Sequence, residues 1–287
     1  MKYAFIQSQQ GWHPIQRMCR VLKVSRSGYY AWLQHTPSAR ERSDRVLLAH
    51  IQRVHEAHRG HCGAEKAWRV LQLQGVAAGK HRVARLRQQH GIEAKRRKRY
   101  TATTRSKKGS WHAPNLLQRR FTVDRPDCVW VGDVTHVPTR EGWLYLAILI
   151  DLYARRVVGW AMRNSNDTVL LTRCLEMALK RRRPAPRLIH HSDRGGTYTS
   201  RAYQARLSSA RLRPSMSRRG DCWDNAVAES FFATLEFELI EGQVFTTRAV
   251  ARSAIFEFIE VFYNQQRAHQ TLGYRTPQDL EAQYVAI

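Results

Sequence analysis

Between residues 128 and 162 three β-branched and aromatic runs follow one another with room for only short turns between them, and no other stretch restricts the fold so much. The runs cover 128–139, 143–150 and 156–162, each the length of one strand, and the turn from Asp151 to Arg155 joins the last two as a hairpin. After them the period changes. Val169, Leu170, Cys174, Met177 and Ala178 recur at helical spacing over 167–180, and Leu188 and Ile189 open another short strand. A helix over 200–209, a strand over 212–216 and a helix starting near Asn225 follow. Three strands, helix, strand, helix, strand, helix is the order of a mixed sheet with helices on its faces, an α/β architecture.

Acids stand at three informative places in that order. Asp133 interrupts the first strand, Asp193 ends the short strand just before Gly195 and Gly196, and Glu229 borders the apolar stripe Ala228, Phe231, Phe232, Leu235 and Leu239 of the last helix. The intervals are 59 and 35 residues. Three carboxylates brought together would repel one another and raise each other's pKa values unless cations neutralise them. Oxygen donors suit magnesium or manganese, and two such ions roughly 4 Å apart hold the attacking and leaving oxygens of an in-line phosphoryl displacement. Taken singly, each acid reads equally well as a cap or turn residue. Asp151 reads as a hairpin-turn residue paired with Arg155 or Arg156, and Asp221 and Asp224 as loop or N-cap residues. His190, His191 and Arg194 flank Asp193, either to meet phosphates or to pack.

The charge is distributed unevenly. Lys and Arg number 24 against 5 acids in residues 1–110 and 24 against 18 in the remainder, within a total of +25. Such asymmetry calls for a polyanionic partner, and no strongly amphipathic basic helix with exposed apolar residues directs it to a membrane. No apolar run reaches the length of a membrane span. Gln7, Ser8, Gln9 and Gln10 stand where an export signal needs its apolar region, so a cytoplasmic, nucleoid-associated protein is expected. Five scattered cysteines without a C-x-x-C pair fit neither a disulfide framework nor a cysteine zinc site, and His55, His58, His61 and Cys62 make a poor ligand set.

Helical spacing appears twice before the strands. In residues 1–35, Ile15, Met18, Cys19 and Leu22 precede a break at Ser25 to Gly28, after which Tyr29, Tyr30, Trp32 and Leu33 start a second helix. This is either a helix-turn-helix or a small packing hairpin. Residues 40–93 hold helices over 44–58, 64–73 and 80–90, the last closed by Gly91. That last helix carries Lys80, Arg82, Arg85 and Arg87, either as major-groove entry requires or as a solvated charged face. Lys95, Arg96, Arg97, Lys98 and Arg99 are consecutive, and Arg105, Lys107 and Lys108 continue the charge, so 94–118 reads as a basic linker. The remaining divisions are a core over 119–241 and a C-terminal helix (246–263) and tail within 242–287.

The strings WVGDVTHVPTREGWLYLAILIDLYARRVVGWAM, HHSDRGGTYTS, SMSRRGDCWDNAVAESFFATLEFEL and FYNQQRAHQTLGYRTP resemble the second-frame transposase of the bacterial insertion-sequence-3 family. The resemblance implies a ribonuclease-H-like, retroviral-integrase-like core preceded by an all-α helix-turn-helix-type region, with Asp133, Asp193 and Glu229 as catalytic and metal-holding residues. It implies two Mg2+ or Mn2+ ions per active site, cleavage and strand transfer at insertion-sequence ends, double-stranded DNA and a second copy of the chain as partners, and an upstream-frame DNA-binding protein of the same element. Two positions depart from the family: Cys62 stands where Tyr is usual, and Glu236 where a Lys or Arg usually follows the catalytic Glu by seven residues, for Arg218 or Arg219 to hold if the fold brings them close. Arg267 and His269 of the last string suit DNA contacts or solvent equally. The competing functions are a structure-specific nuclease on the same fold and a DNA-binding regulator without chemistry.

Overall fold

The computed structural model describes residues 1–34, 36–95, 112–218 and 222–285, and the chain forms two compact units, Met1–His50 and Ile51–Ile287. In the first unit α1 (Lys2–Gln9), α2 (Ile15–Val21) and α3 (Arg26–Leu33) enclose Ile6, Met18, Cys19 and Tyr29. Helix α1 has too few apolar residues to be read from periodicity. Ser25 caps α3 by accepting the Gly28 N–H at 2.9 Å. Helix α4 (Ala39–Ala57) begins earlier than its apolar spacing indicates, because Ser38 and Glu41 form a reciprocal capping box: the Ser38 N–H donates to Glu41 at 2.7 Å and the Glu41 N–H to the Ser38 hydroxyl at 3.2 Å.

In the second unit α5 (Ala64–Leu73) and α6 (Lys80–Gln89) flank a turn held by the Trp68 indole N–H, which donates to the Ala78 carbonyl at 2.9 Å. The sheet follows. Strands β1 (Val129–Val137), β2 (Leu144–Asp151) and β3 (Val157–Arg163) are antiparallel neighbours, while β4 (Ile189–Ser192) and β5 (Arg213–Met216) add in parallel beyond β1, giving the order β3-β2-β1-β4-β5.

Side chains alternate along these strands, so two cores form. Val129, Val131, Leu144, Leu146, Ile148 and Ile150 pack with α9 (Ala226–Leu235) and α10 (Arg248–Glu257) on one face. Trp130, Ala147, Leu149 and Val158 pack with α7 (Thr168–Arg182) and α8 (Arg201–Ser209) on the other. Both faces are covered, the arrangement of a ribonuclease-H-like fold.

Two helices expected to run on as α-helices change pitch. After α9 the chain takes a π-helical turn over Glu236–Ile240, and after α10 another over Phe258–Gln266. The extra residue per turn rotates the stripe, so Ile240 rather than Leu239 is the buried residue after Leu235. In the second π segment Asn264 turns inward, and its amide both accepts from and donates to the Val157 backbone at 3.0 Å, satisfying the outer edge of β3. Helix α11 (Pro277–Val285), in the stretch read as tail, is anchored by Glu281, which pairs with Arg156 and Arg182.

Candidate active site

Strands β1 and β4 run side by side up to Val131 opposite His191, and Asp133 and Asp193 each follow two residues further on, beyond the paired stretch. Asp133 shares its strand face with Val129 and Val131, the face on which α9 packs, and α9 carries Glu229. All three side chains are half-buried. The Asp133 carboxyl is pushed well up by burial, then by the charge of Asp193 and less by that of Glu229, with the Val134 N–H opposing at 2.8 Å. Burial likewise raises Asp193 and Glu229. Asp193 folds over an Asx turn, accepting the Gly195 N–H at 2.9 Å, which is what the Gly after Arg194 permits. Among the described residues no Lys or Arg pairs with these three acids. Nor, among them, do any three His, Cys, Asp or Glu stand close enough to hold an ion as they are.

The neighbours of Asp193 are structural. His190 is buried against the Tyr203 hydroxyl at 2.9 Å, and burial lowers its pKa to about 4. His191 lies 2.8 Å from the Ser215 hydroxyl and 3.0 Å from the Asp224 carbonyl. Since a carbonyl only accepts, its Nε2 carries the proton and Nδ1 receives the Ser215 hydroxyl. Arg194 donates to the Ser217 carbonyl at 2.6 Å. These contacts brace the end of β4.

Asp151 does not pair with the Arg155 or Arg156 side chains as expected. Its carboxylate accepts the N–H groups of Asp127 at 2.6 Å and Tyr153 at 2.8 Å, and burial raises its pKa to about 6. Asp224, expected in a loop or at an N-cap, is fully buried and binds Arg218 and Arg119, both at 3.0 Å, and Asn115 at 2.9 Å. The Arg218 bonds hold its carboxyl far below the usual range. Composition hides this network, because its members come from two distant stretches of sequence, 115–119 and 218–224. Arg218 thus meets Asp224, while Arg219 and Asp221 lie outside the described residues. Tyr198 was also missed: burial, then the charge of Asp133, drives its hydroxyl pKa well up beside Gly132.

The basic residues of α6 divide. Arg87 points inward, 4% exposed, donating to the Cys62 carbonyl at 2.7 Å, which corrects its reading as a DNA contact. The cause is phase: Val83, Leu86 and Arg87 share the helix face turned to the core. Lys80 is exposed and pairs with Glu65, Arg82 is half-buried, Arg85 is half-buried and bonds Gln89 at 2.8 Å, and Lys95 is exposed. Arg96, Arg97, Lys98 and Arg99 lie outside the described residues, as do Arg105, Lys107 and Lys108. His58 is spent on structure, donating from Nδ1 to the Val54 carbonyl at 2.9 Å. Arg267 and His269 fit neither of their expected roles. Arg267 is bound to Glu238 at 2.8 Å, and His269 is buried edge-on to Tyr263.

Residues 123–222 match the family model described as Integrase core domain, residues 210–277 a second model of that description, and residues 41–100 one described as HTH-like domain. The chain is 42% identical over 267 residues to the insertion element IS600 uncharacterized 31 kDa protein of Shigella sonnei, covering 93% of this chain and 98% of that one. It is 38% identical over 292 residues, covering 100% of each chain, to the transposase InsF for insertion sequence IS3A of Escherichia coli strain K12. Among solved structures it is similar to the HTLV-2 integrase catalytic core domain in complex with magnesium, with 16% identity and a TM-score of 0.42 over 55% of this chain and 97% of that one. Identity to the curated relatives extends from the helical region through the carboxylate-bearing sheet, and by that measure the chain belongs to the transposases of the insertion-sequence-3 family.

Proposed function

We propose that this transposase cuts and joins DNA at insertion-sequence ends with Asp133, Asp193 and Glu229 as its catalytic carboxylates and two divalent cations as cofactors. The observation that carries the reading is electrostatic: Asp133 is driven upward by burial and then by the charges of Asp193 and Glu229, which supports a shared anionic site. Carboxylate oxygens of this kind fit Mg2+ or Mn2+, whose binding would neutralise that repulsion. When bound, such ions polarise the phosphate and stabilise the attacking and leaving oxygens. The chain's own part is to fix the donors. The Val134 and Gly195 N–H groups orient Asp133 and Asp193, which follow the paired stretch of β1 and β4, and α9, packed on the sheet face that Asp133 shares, carries Glu229.

Cleavage places water on a phosphodiester at the element end and frees a 3′ hydroxyl. Joining makes that hydroxyl the nucleophile on target DNA, so one site serves both steps. Lys80, Arg82, Arg85 and Lys95, with Arg96 to Arg99, supply phosphate contacts, each adding roughly −0.9 to the slope of log affinity against log salt. The active complex holds more than one copy of the chain on DNA in the cytoplasm, and the upstream-frame protein of the element supplies further DNA binding.

Replacing Asp133 or Asp193 by Asn, or Glu229 by Gln, tests this with element-end duplexes in Mg2+ or Mn2+. Each change is expected to abolish cleavage and the joining of a pre-cut end while leaving duplex binding intact. Residual activity within about tenfold, a barrier change near 1.4 kcal/mol, removes that residue from the assignment. Cleavage without joining would instead favour a nuclease.

A further inference from the structure

Just ahead of α9 the residues Cys222–Asn225 form one 3-10 turn, and its Trp223 side chain is 68% exposed. Among the described residues of the second unit no large apolar side chain is more exposed. Apolar area of that size in water is unfavourable, so an exposed indole on a mobile loop would fold back onto the surface. This turn is held firmly instead. Its Asp224 side chain is tied to Arg119, Arg218 and Asn115, its Asp224 carbonyl accepts from His191, and Asn225 is buried. The same structure that braces β4, two residues short of Asp193, thus presents an indole to solvent.

We propose that Trp223 is a stacking site for an unpaired DNA base next to the scissile phosphate, a proposal that rests on the phosphoryl-transfer reading of Asp133, Asp193 and Glu229. Trp223 lies six positions before Glu229, across a 3-10 turn and the first turn of α9, roughly 9–12 Å at the rises of those helices. At about 3.4 Å per nucleotide along a strand, that span reaches a base one to three positions from the phosphate held at the carboxylates. Stacking accepts any base, because every base has a π-face, and it offsets the cost of opening a terminal pair so that the strand can bend into the site. A backbone turn fixed in advance loses little entropy when the indole it carries binds. The partner is a nucleobase rather than an apolar protein surface, given the position of the turn at the carboxylate end of β4 and the excess of 24 Lys and Arg over 18 acids in residues 111–287.

The test compares the full chain with Trp223→Ala and Trp223→Phe on element-end duplexes that are fully paired or carry mismatches at the terminal pairs. Trp223→Ala is expected to lower joining by roughly ten- to a hundredfold on paired DNA. It should be largely rescued by the mismatched duplex, and Trp223→Phe should retain most activity. A second readout needs no turnover: in the Asp133→Asn background, permanganate should oxidise an end thymine in the complex only when Trp223 is present. Equal joining by parent and Trp223→Ala on both duplexes, equal permanganate reactivity, or a change of oligomeric state of Trp223→Ala without DNA would each overturn the proposal. If Asp133→Asn alone keeps full activity, the phosphoryl-transfer reading fails; if it is inactive and Trp223→Ala matches the parent, the stacking site alone fails.

Discussion

Arg85 and Arg87 stand two residues apart on α6 and differ in what surrounds them: the first bonds Gln89 at the half-buried surface, the second fills the core beside Cys62. Arg87→Ala should therefore cost stability, about 1–3 kcal/mol for the orphaned Cys62 carbonyl and the lost packing, seen as a lower denaturation midpoint. The salt slope of DNA binding should stay unchanged. Arg85→Ala should do the reverse, and a flattened slope from Arg87→Ala would contradict the burial. The sequence showed four basic residues on this helix but not their phase, because α6 has only Val83 and Leu86 as apolar anchors and two points leave the facing of a helix loosely set. Position 236 is better determined. Glu236 opens the π-helical turn that continues the line of α9 from Glu229. The charge of His136 does act on Glu236, though burial and Glu241 outweigh it and leave the carboxyl raised. An exposed anion on this line opposes a DNA backbone, and Glu236→Lys should tighten binding to element-end duplexes by a factor that shrinks as salt is raised. Equal affinities at low salt would show that DNA does not pass position 236.

At the scale of elements, strand identity was legible and helix pitch was not. Every residue of β2 from Leu144 to Ile150 is apolar, a pattern that only a strand covered on both faces satisfies, and the structure covers it with α9 and α10 on one side and α7 on the other. The π segments at Glu236–Ile240 and Phe258–Gln266 leave no trace in apolar spacing, because one added residue is within the tolerance of any helical pattern. What fixes them is tertiary: Glu238 must meet Arg267, and Asn264 must meet Val157. Asn264→Ala should thus destabilise the fold by about 1–3 kcal/mol for the two buried backbone groups it leaves unpaired, and Asn264→Asp, which keeps only the acceptor, should be no better. Gly159 marks another such contact. A Cβ there would lie 2.5 Å from the Cys174 carbonyl and 2.8 Å from the Ala178 Cβ, so α7 packs on β3 only because this residue has no side chain. Gly159→Ala should cost about 1–3 kcal/mol in thermal or chemical denaturation. A neutral outcome would mean that α7 can lift away from the sheet.

Over the whole molecule the excess of positive charge was plain from composition, whereas its coupling to pH depends on groups that only the fold buries. His58, His190 and His191 are buried and neutral, each with its pKa lowered to about 4 chiefly by burial. An unfolded chain takes up protons on these rings below about 6.5 and the folded chain does not until about 4, so stability must fall as pH falls across that interval. Each ring contributes on the order of 1–3 kcal/mol at the lower end, and the growing positive charge adds self-repulsion in the same direction. Asp151 works the other way. Its raised pKa of about 6 means that the folded state binds its proton first, so acid between about 6 and 3.8 stabilises through this group and offsets part of the loss. Asp133, Asp193, Glu229 and Glu236, whose pKa values are also raised, act with Asp151, whereas His55, His61 and His269, also lowered, act with the three rings; with the growing self-repulsion, melting temperature should drop from pH 6.5 to 4.5. His191→Gln isolates one share of it. A Gln amide can still donate towards the Asp224 carbonyl and accept from Ser215 but takes up no proton, so the variant should lose some stability at pH 7.5 and show a shallower decline below pH 6.5. Parallel curves for parent and variant across that range would show that His191 does not contribute to the acid sensitivity.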